Sequence, residues 1–209
     1  MRHGQRIGVF GGTFDPIHHG HLIIADELRY RLDLDCVLFL PAGRPPHKTD
    51  QDITADEHRL AMLRMAIDGD PYFDISMIDM ENSGLSYTAE SMREHQRRFP
   101  DATLTFLMGQ DSYRDLPYWH KPGELVQHVR LGVALRPGVV VDSDYIEHRI
   151  PEVRGRVDLI DVPLIQIASS DIRRRVRQDE PLRYHVPVAV ESYIRTHDLY
   201  RSMVQDDRF

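Results

Sequence analysis

The fold is decided by residues 7–22, which read IGVFGGTFDPIHHGHL. Ile7 to Phe10 form a short, mostly apolar run that predicts a buried strand, and Gly11 and Gly12 follow it directly. From Leu22 onward, apolar residues recur at helical spacing. The stretch therefore predicts a strand, a glycine-rich loop and a helix, which together open a βαβ unit.

The same alternation of strand and helix continues along the chain. Apolar runs predict further strands at residues 36–40, 72–78, 104–108, 131–135 and 157–162, and helical patterns cover residues 88–99, 170–178 and 187–197. This order predicts an α/β fold, with a Rossmann-like, doubly wound and mainly parallel sheet that carries helices on both faces. We expect residues 1–209 to form a single domain, completed by a C-terminal helical part at about residues 170–200.

One more helix is predicted from a capping box. Thr54 would be its N-cap and Glu57 its third residue. The apolar face of this helix is predicted to consist of Leu60, Leu63, Met65 and Ile67.

Composition excludes several classes of protein. The chain has 26 basic and 33 acidic residues, a net charge of −7, which disfavours binding to nucleic acid. It shows neither a signal peptide nor a run long enough to span a membrane, so we expect a cytoplasmic protein with no membrane partner. The single cysteine, Cys36, precludes an intramolecular disulfide and is predicted to be a small buried side chain. The sequence leaves open whether the chain forms a homo-oligomer.

The loop after the first strand has the residues of an anion site. Glycines allow a phosphate to approach backbone N–H groups, and the helix that starts near Gly20 presents its positive dipole end. His18 and His21 lie three residues apart, so they share one face of that helix. A histidine metal site is the alternative, whereas His19 is expected at the surface and Asp15 as a brace of the loop.

A second candidate site lies at residues 167–173, IASSDIR. Ser169 or Ser170 is a candidate N-cap, and Arg173 falls in the first turn of the predicted helix. Hydroxyls, a guanidinium and a helix N-terminus can together bind phosphate. An ordinary capped helix with a surface arginine is the alternative.

Both segments resemble elements of the nucleotidyltransferase α/β superfamily. The H-x-G-H element after G-G-T-F-D-P-I-H resembles its hallmark, and residues 167–173 resemble the I-S-S-T-x-I-R element that closes its ATP site, with Ala168 and Ser170 as departures. The resemblance implies catalytic roles for His18, His21 and Arg173. It further implies that ATP and its phosphates contact Gly11, Gly12, Thr13, Phe14, Gly20, Lys48, Gly109, Asp111, Ile167, Ser169 and Ser170.

Four further elements resemble the bacterial nicotinate-nucleotide adenylyltransferase branch: P-P-H-K at 45–48, S-Y-T at 86–88, G-x-D at 109–111 followed by Trp119, and R-P-G at 136–138. The resemblance implies adenylyl transfer from MgATP to nicotinate mononucleotide in NAD biosynthesis. Mg²⁺ would arrive with ATP rather than at a metal site of the protein. The nicotinate nucleotide would contact Ser86, Tyr87, Thr88, Trp119, His120 and Arg136, where His120 departs from the usual tyrosine.

Elementary chemistry agrees with that substrate. A helix N-terminus at Thr88 would bind the nicotinate carboxylate, and Trp119 would stack on the cationic pyridine ring. Three alternatives remain: a preference for the nicotinamide nucleotide or for both, a phosphopantetheine adenylyltransferase, and a catalytically silent nucleotide sensor.

Overall fold

The computed structural model describes residues 4–43, 53–81, 85–136 and 141–201. Within these residues six strands form one sheet: β1 Arg6–Gly12, β2 Cys36–Pro41, β3 Phe73–Ile75, β4 Thr103–Gly109, β5 Arg130–Leu135 and β6 Val157–Asp161. The strand order is β3-β2-β1-β4-β5-β6, and every pairing is parallel. The predicted doubly wound parallel sheet is therefore confirmed.

The strand order reverses between β1 and β4. β1 pairs with β2 on one side and with β4 on the other, and the chain leaves β1 and β4 in opposite directions along the sheet. In such sheets, the loops after these two strands diverge and leave a crevice at their carboxyl ends. The predicted glycine-rich loop follows β1, so it lies at this crevice.

Helices fill the connections between the strands, and two more helices follow the last strand. They are α1 His19–Arg31, α2 Asp56–Ile67, α3 Ile78–Glu81, α4 Thr88–Arg98, α5 Gln110–Asp115, α6 Pro122–His128, α7 Ser143–Arg149, α8 Ser169–Arg177 and α9 Val188–Thr196. Two hydrophobic clusters pack against the sheet. One includes Met92 of α4 and Leu125 of α6, and the other includes Leu28 of α1 and Val190 of α9. No helix in the described part of the chain is long and apolar enough to cross a membrane.

The capping box predicted for α2 is wrong. The helix begins at Asp56 with Ala55 as its N-cap, and no side chain caps it. Thr54 instead uses its backbone: its N–H donates to Asp15 Oδ2 at 3.3 Å, and its carbonyl accepts from Arg59 Nε at 3.0 Å. Tertiary contacts have thus replaced the local cap.

The predicted apolar face of α2 also needs correction. Met65, which was predicted to face the core, is 40% exposed. Met62 and Arg59 are fully buried instead, and both lie on the buried face of the helix. Arg59, Leu63 and Ile67 follow one another at intervals of four, which is the spacing of a single helix face.

Three smaller predictions change as well. β3 is confined to Phe73–Ile75, because Ile78 begins α3 rather than ending a strand. Ala168 is the N-cap of α8, so neither Ser169 nor Ser170 caps that helix. Cys36 is half-buried at the start of β2, not a fully buried side chain.

Candidate active site

The carbonyl groups of the loop after β1 accept hydrogen bonds from residues of other segments. The Gly12 carbonyl accepts from Ala42 N–H at 2.9 Å, and the Thr13 carbonyl accepts from Arg59 Nη1 at 2.7 Å. Because the C=O and N–H of a trans peptide point in opposite directions, the N–H groups of Thr13 and Phe14 are turned away from these donors. Neighbouring N–H groups that share one side of a loop can bind an anion.

Arg59 is the residue that the sequence analysis missed. Its side chain is fully buried, and it donates to the carbonyls of Thr13, Ala42 and Thr54 and to Asp56 Oδ1. It therefore connects the loop after β1, the end of β2 and the segment that leads into α2. The spacing of 59, 63 and 67 was the available signal, because it places an arginine on an otherwise apolar face.

His18 and His21 stack on each other at the start of α1. Their ring centroids lie 3.6 Å apart at an interplanar angle of 20°, and His18 Nδ1 accepts from the His21 backbone N–H at 3.3 Å. This cap makes His18 the N-cap of α1 and leaves its ring proton on Nε2 when the imidazole is neutral. The predicted shared face of the two histidines is confirmed.

Both imidazoles are neutral at pH 7. Burial, and secondarily the nearby His19, lower the pKa of His18 to about 4. Burial and the neighbouring His18 hold the pKa of His21 well below its usual value. His21 Nδ1 is buried and has no hydrogen-bond partner among the described residues. Neutral imidazoles can each donate one N–H to a ligand oxygen.

Helix α8 closes against the same loop. Ser169 Oγ donates to the Pro16 carbonyl at 2.9 Å, and Arg173 Nη1 donates to the Asp15 carbonyl at 2.6 Å. The Arg173 side chain is 31% exposed, so part of the guanidinium remains open to a ligand. Ser170 is exposed, whereas Ile167 packs against the hydrophobic core.

Tight contacts also shape the start of α1. A Cβ on Gly20 would lie 3.0 Å from His18 Nδ1, so a larger residue would crowd the imidazole. Phe14 is buried and adopts a positive φ of 49°, and its ring lies 5.1 Å from that of His21.

A cavity of about 670 Å³ borders the loop after β1. Its lining includes Gly11, Gly12, Thr13, Asp111, Ser86, Tyr87, Thr88, Trp119 and His120. All the residues predicted to contact the nicotinate nucleotide are in this set except Arg136. The structure therefore brings together elements that lie about a hundred residues apart in the sequence.

The aromatic wall of the cavity is fixed by ring contacts. Trp119 packs edge-on against Phe106, with ring centroids 6.1 Å apart, and the Tyr87 and His120 rings lie 4.2 Å apart. Asp79 lines the same wall, where burial raises the pKa of its carboxyl to about 6 and Ser91 Oγ donates to Oδ1 at 2.5 Å. Trp119 is thus partly packed in the core and partly presented to the cavity.

The other predicted residues lie at the edges of these two groups. Arg136 Nη2 forms an ion pair with Asp111 Oδ2 at 3.3 Å, and Gly109 is the N-cap of α5. His18, His21 and Arg173 do not line the cavity, but they adjoin it through the loop after β1. Lys48, with the rest of P-P-H-K, and residues 137–138 lie outside the described residues.

Among the described residues, no group of three or more His, Cys, Asp and Glu side chains could hold a metal ion. The carboxylate nearest the two histidines in sequence, Asp15, already accepts from Tyr200 and Thr54. The imidazole N–H groups and the Arg173 guanidinium at this site suit the binding of phosphate oxygens.

A doubly wound sheet with two imidazoles and a serine–arginine helix at its switch point defines an α/β nucleotidyltransferase. A family model described as cytidylyltransferase-like matches residues 9–175. A protein of Thermomicrobium roseum is 55% identical over 95% of this chain and 93% of its own length, and one of Dehalococcoides mccartyi is 42% identical over 93% and 97%. Both carry the name "Probable nicotinate-nucleotide adenylyltransferase". The chain belongs to the nicotinate-nucleotide adenylyltransferase family.

Solved structures share the fold. The nicotinic acid mononucleotide adenylyltransferase of Plasmodium falciparum, complexed with NaAD, superposes with a TM-score of 0.76 at 21% identity. The match covers 94% of this chain and 97% of that protein. The same protein complexed with APC gives a TM-score of 0.75.

Proposed function

We propose that this protein transfers the adenylyl group of MgATP to nicotinate mononucleotide and releases nicotinate adenine dinucleotide and pyrophosphate. The observation that carries the proposal is the cavity of about 670 Å³, which adjoins the loop after β1 and is walled by Trp119 and the start of α4. The names of the relatives support this substrate.

The chemistry needs no nucleophilic side chain. An oxygen of the nicotinate-nucleotide phosphate forms a bond to the α-phosphorus of ATP, and the bond from that phosphorus to the bridging β-oxygen breaks. Because a phosphate monoester has a second pKa near 6, the attacking group is already largely a dianion at pH 7. The protein therefore acts by aligning the two phosphates and stabilising the charge that develops between them.

The residues around α1 and α8 fit the ATP side of this reaction. His18 and His21 donate N–H groups to the phosphates, and the exposed part of Arg173 binds the departing pyrophosphate. We assign the backbone N–H groups of Thr13 and Phe14, which are turned away from the donors to the loop carbonyls, to phosphate contacts as well. Mg²⁺, which binds phosphate oxygens and water in preference to protein cages, neutralises part of the triphosphate charge when bound.

The cavity fits the nicotinate side. Helix α4 begins at Thr88, so its first N–H groups and its dipole favour a carboxylate there. Trp119 offers a ring face to the pyridinium. A neutral amide would gain less from the dipole, which is why we expect the nicotinate form to be preferred.

Pyrophosphate release from MgATP tests the proposal, with nicotinate mononucleotide and nicotinamide mononucleotide supplied separately. We expect a strong preference for the nicotinate form. Equal or reversed preference would keep adenylyl transfer but contradict carboxylate recognition at α4. No release with either nucleotide would contradict the proposed function, and phosphopantetheine would then be the next substrate to supply.

We further propose that the enzyme works in the cytoplasm, without nucleic-acid partners.

A further inference from the structure

Tyr200 reaches back to the loop after β1 from the segment that follows α9. Its hydroxyl donates to Asp15 Oδ1 at 2.8 Å, across 185 residues of sequence. Tyr200 holds a φ of 65° and Asp198 a φ of 49°, both in the left-handed region that non-glycine residues rarely adopt. Burial, and secondarily the Asp15 carboxylate, raise the pKa of the hydroxyl, so it remains a donor at neutral pH. The turn that ends α9 thus brings the Tyr200 hydroxyl onto the buried Asp15 carboxylate.

The Asp15 carboxylate accepts hydrogen bonds from two neutral groups and has the Arg173 guanidinium nearby. Only 5% of Asp15 is exposed, so its oxygens must be satisfied within the protein. Oδ1 accepts from Tyr200 and Oδ2 from the Thr54 N–H, whereas Arg173 Nη1 is 4.0 Å from Oδ2. The same Nη1 donates instead to the Asp15 backbone carbonyl at 2.6 Å. The carboxylate is thus close enough to attract Arg173 but is not hydrogen-bonded to it.

We infer that Tyr200 is a positioning residue, which holds the Asp15 carboxylate off Arg173 and so leaves the guanidinium available to the phosphates of ATP. The inference rests on the proposed function, because it uses the role of Arg173 at the triphosphate. If the hydroxyl is removed, the buried carboxylate loses one of its two neutral donors. The nearest charged donor is Arg173, and a carboxylate–guanidinium pair then competes with phosphate for the same group.

The first test is the affinity of Tyr200→Phe for a non-hydrolysable ATP analogue with Mg²⁺, measured by titration calorimetry. Phenylalanine removes only the hydroxyl. We expect binding to weaken on the order of tenfold, which is what loss of about one charge-assisted hydrogen bond produces. The affinity for nicotinate mononucleotide should stay within about twofold. Tyr184→Phe is the matched control, because that tyrosine is 83% exposed, and it should bind the analogue like the wild type.

A double-mutant cycle separates positioning from a general structural effect. In an Arg173→Gln background the guanidinium is absent, so adding Tyr200→Phe should change analogue affinity by less than about twofold. In an Asp15→Asn background the charge that attracts Arg173 is absent, and the same small effect is expected. If Tyr200→Phe weakens binding equally in all three backgrounds, or in none of them, the inference is wrong.

The readout also distinguishes this inference from the proposed function. A wild type that binds the ATP analogue but releases no pyrophosphate with nicotinate mononucleotide would contradict the proposed function alone. A wild type that is active, with a Tyr200→Phe variant of unchanged analogue affinity, would contradict the role of Tyr200 alone. A wild type that binds no analogue would overturn both.

Discussion

At His21, a single imidazole is proposed to stabilise charge on the transferring phosphate. Removing one such preorganised donor typically lowers turnover on the order of a hundredfold. We expect His21→Ala to show this loss in pyrophosphate release while the variant stays folded, as judged by its thermal midpoint. His19→Ala is the matched control, because His19 is outside the stacked pair and contacts His185 through its backbone N–H. Near-normal turnover of His21→Ala would contradict the assigned role.

The burial of His18 has a consequence for stability in acid. An unfolded histidine takes up a proton near pH 6.5, whereas folded His18 does so only near pH 4. Between these values the unfolded state binds more protons, so the free energy of unfolding falls as the pH decreases. His18 alone should account for roughly 3 kcal/mol of that fall.

His18→Asn isolates this contribution, because asparagine can still cap α1 but does not titrate. Urea unfolding at a series of pH values from 7 to 4 gives the free energy of unfolding of each protein. The variant should lose roughly 3 kcal/mol less than the wild type over this range. Parallel curves for the two proteins would show that His18 titrates normally in the folded state.

Residue-level prediction from the sequence succeeded where a motif fixes its own geometry. The spacing of His18 and His21 was enough to place both on one face. It failed at Arg59, because this fully buried arginine donates to the carbonyls of three segments, and two of them, at Thr13 and Ala42, are distant from it in sequence. The sequence also suggested that Asp15 braces the loop, but it could not identify Tyr200 as the partner, because the two residues lie 185 positions apart.

At the scale of elements, the end of β2 and helix α3 approach each other at Gly43. A Cβ on Gly43 would lie 2.4 Å from the backbone oxygen of Asp79, closer than such atoms pack in proteins. Gly43→Ala must therefore push α3 away from β2, and overpacking of this kind costs about 1–3 kcal/mol. Because Asp79 lines the cavity, the KM for nicotinate mononucleotide should also rise.

The control for Gly43→Ala is Gly109→Ala, since a Cβ on Gly109 meets nothing within 4 Å. Urea unfolding should show a change within about 0.5 kcal/mol for that variant. Equal stability of the two variants would mean that α3 is free to move.

Long elements were predictable because their periodicity spans several turns or a whole buried strand. The predicted bounds of α1, α4 and α9 lie within about two residues of the observed ones. The same is true of every strand except β3. Helices α3, α5, α6 and α7 have only four to seven residues, too few to show an amphipathic repeat. The starts of α2 and α8 were predicted to within one residue, but their capping residues were wrong, because Thr54 and Ser169 bond to the loop after β1 instead of capping.

At the scale of the whole molecule, one sheet brings the two proposed half-sites together at the loop after β1. The half-site proposed to bind the triphosphate is built from α1 and α8, and the half-site proposed to bind the nicotinate ring is built from α4 and Trp119. A dinucleotide product would contact both halves at once. Because a ligand that binds only the folded state stabilises it, the product should raise the thermal midpoint.

The amide and the acid forms of that dinucleotide differ only in the group proposed to face the start of α4. Nicotinate adenine dinucleotide at about 100 times its Kd should stabilise the fold by about 2.7 kcal/mol. A tenfold weaker affinity for the nicotinamide form removes about 1.4 kcal/mol of this at equal concentration, a difference of roughly 4 °C for a chain of this length. Differential scanning fluorimetry measures both shifts, and Trp119→Leu should reduce both, because stacking serves either ring. Equal shifts with the two dinucleotides in the wild type would place the carboxylate somewhere other than at the N-terminus of α4.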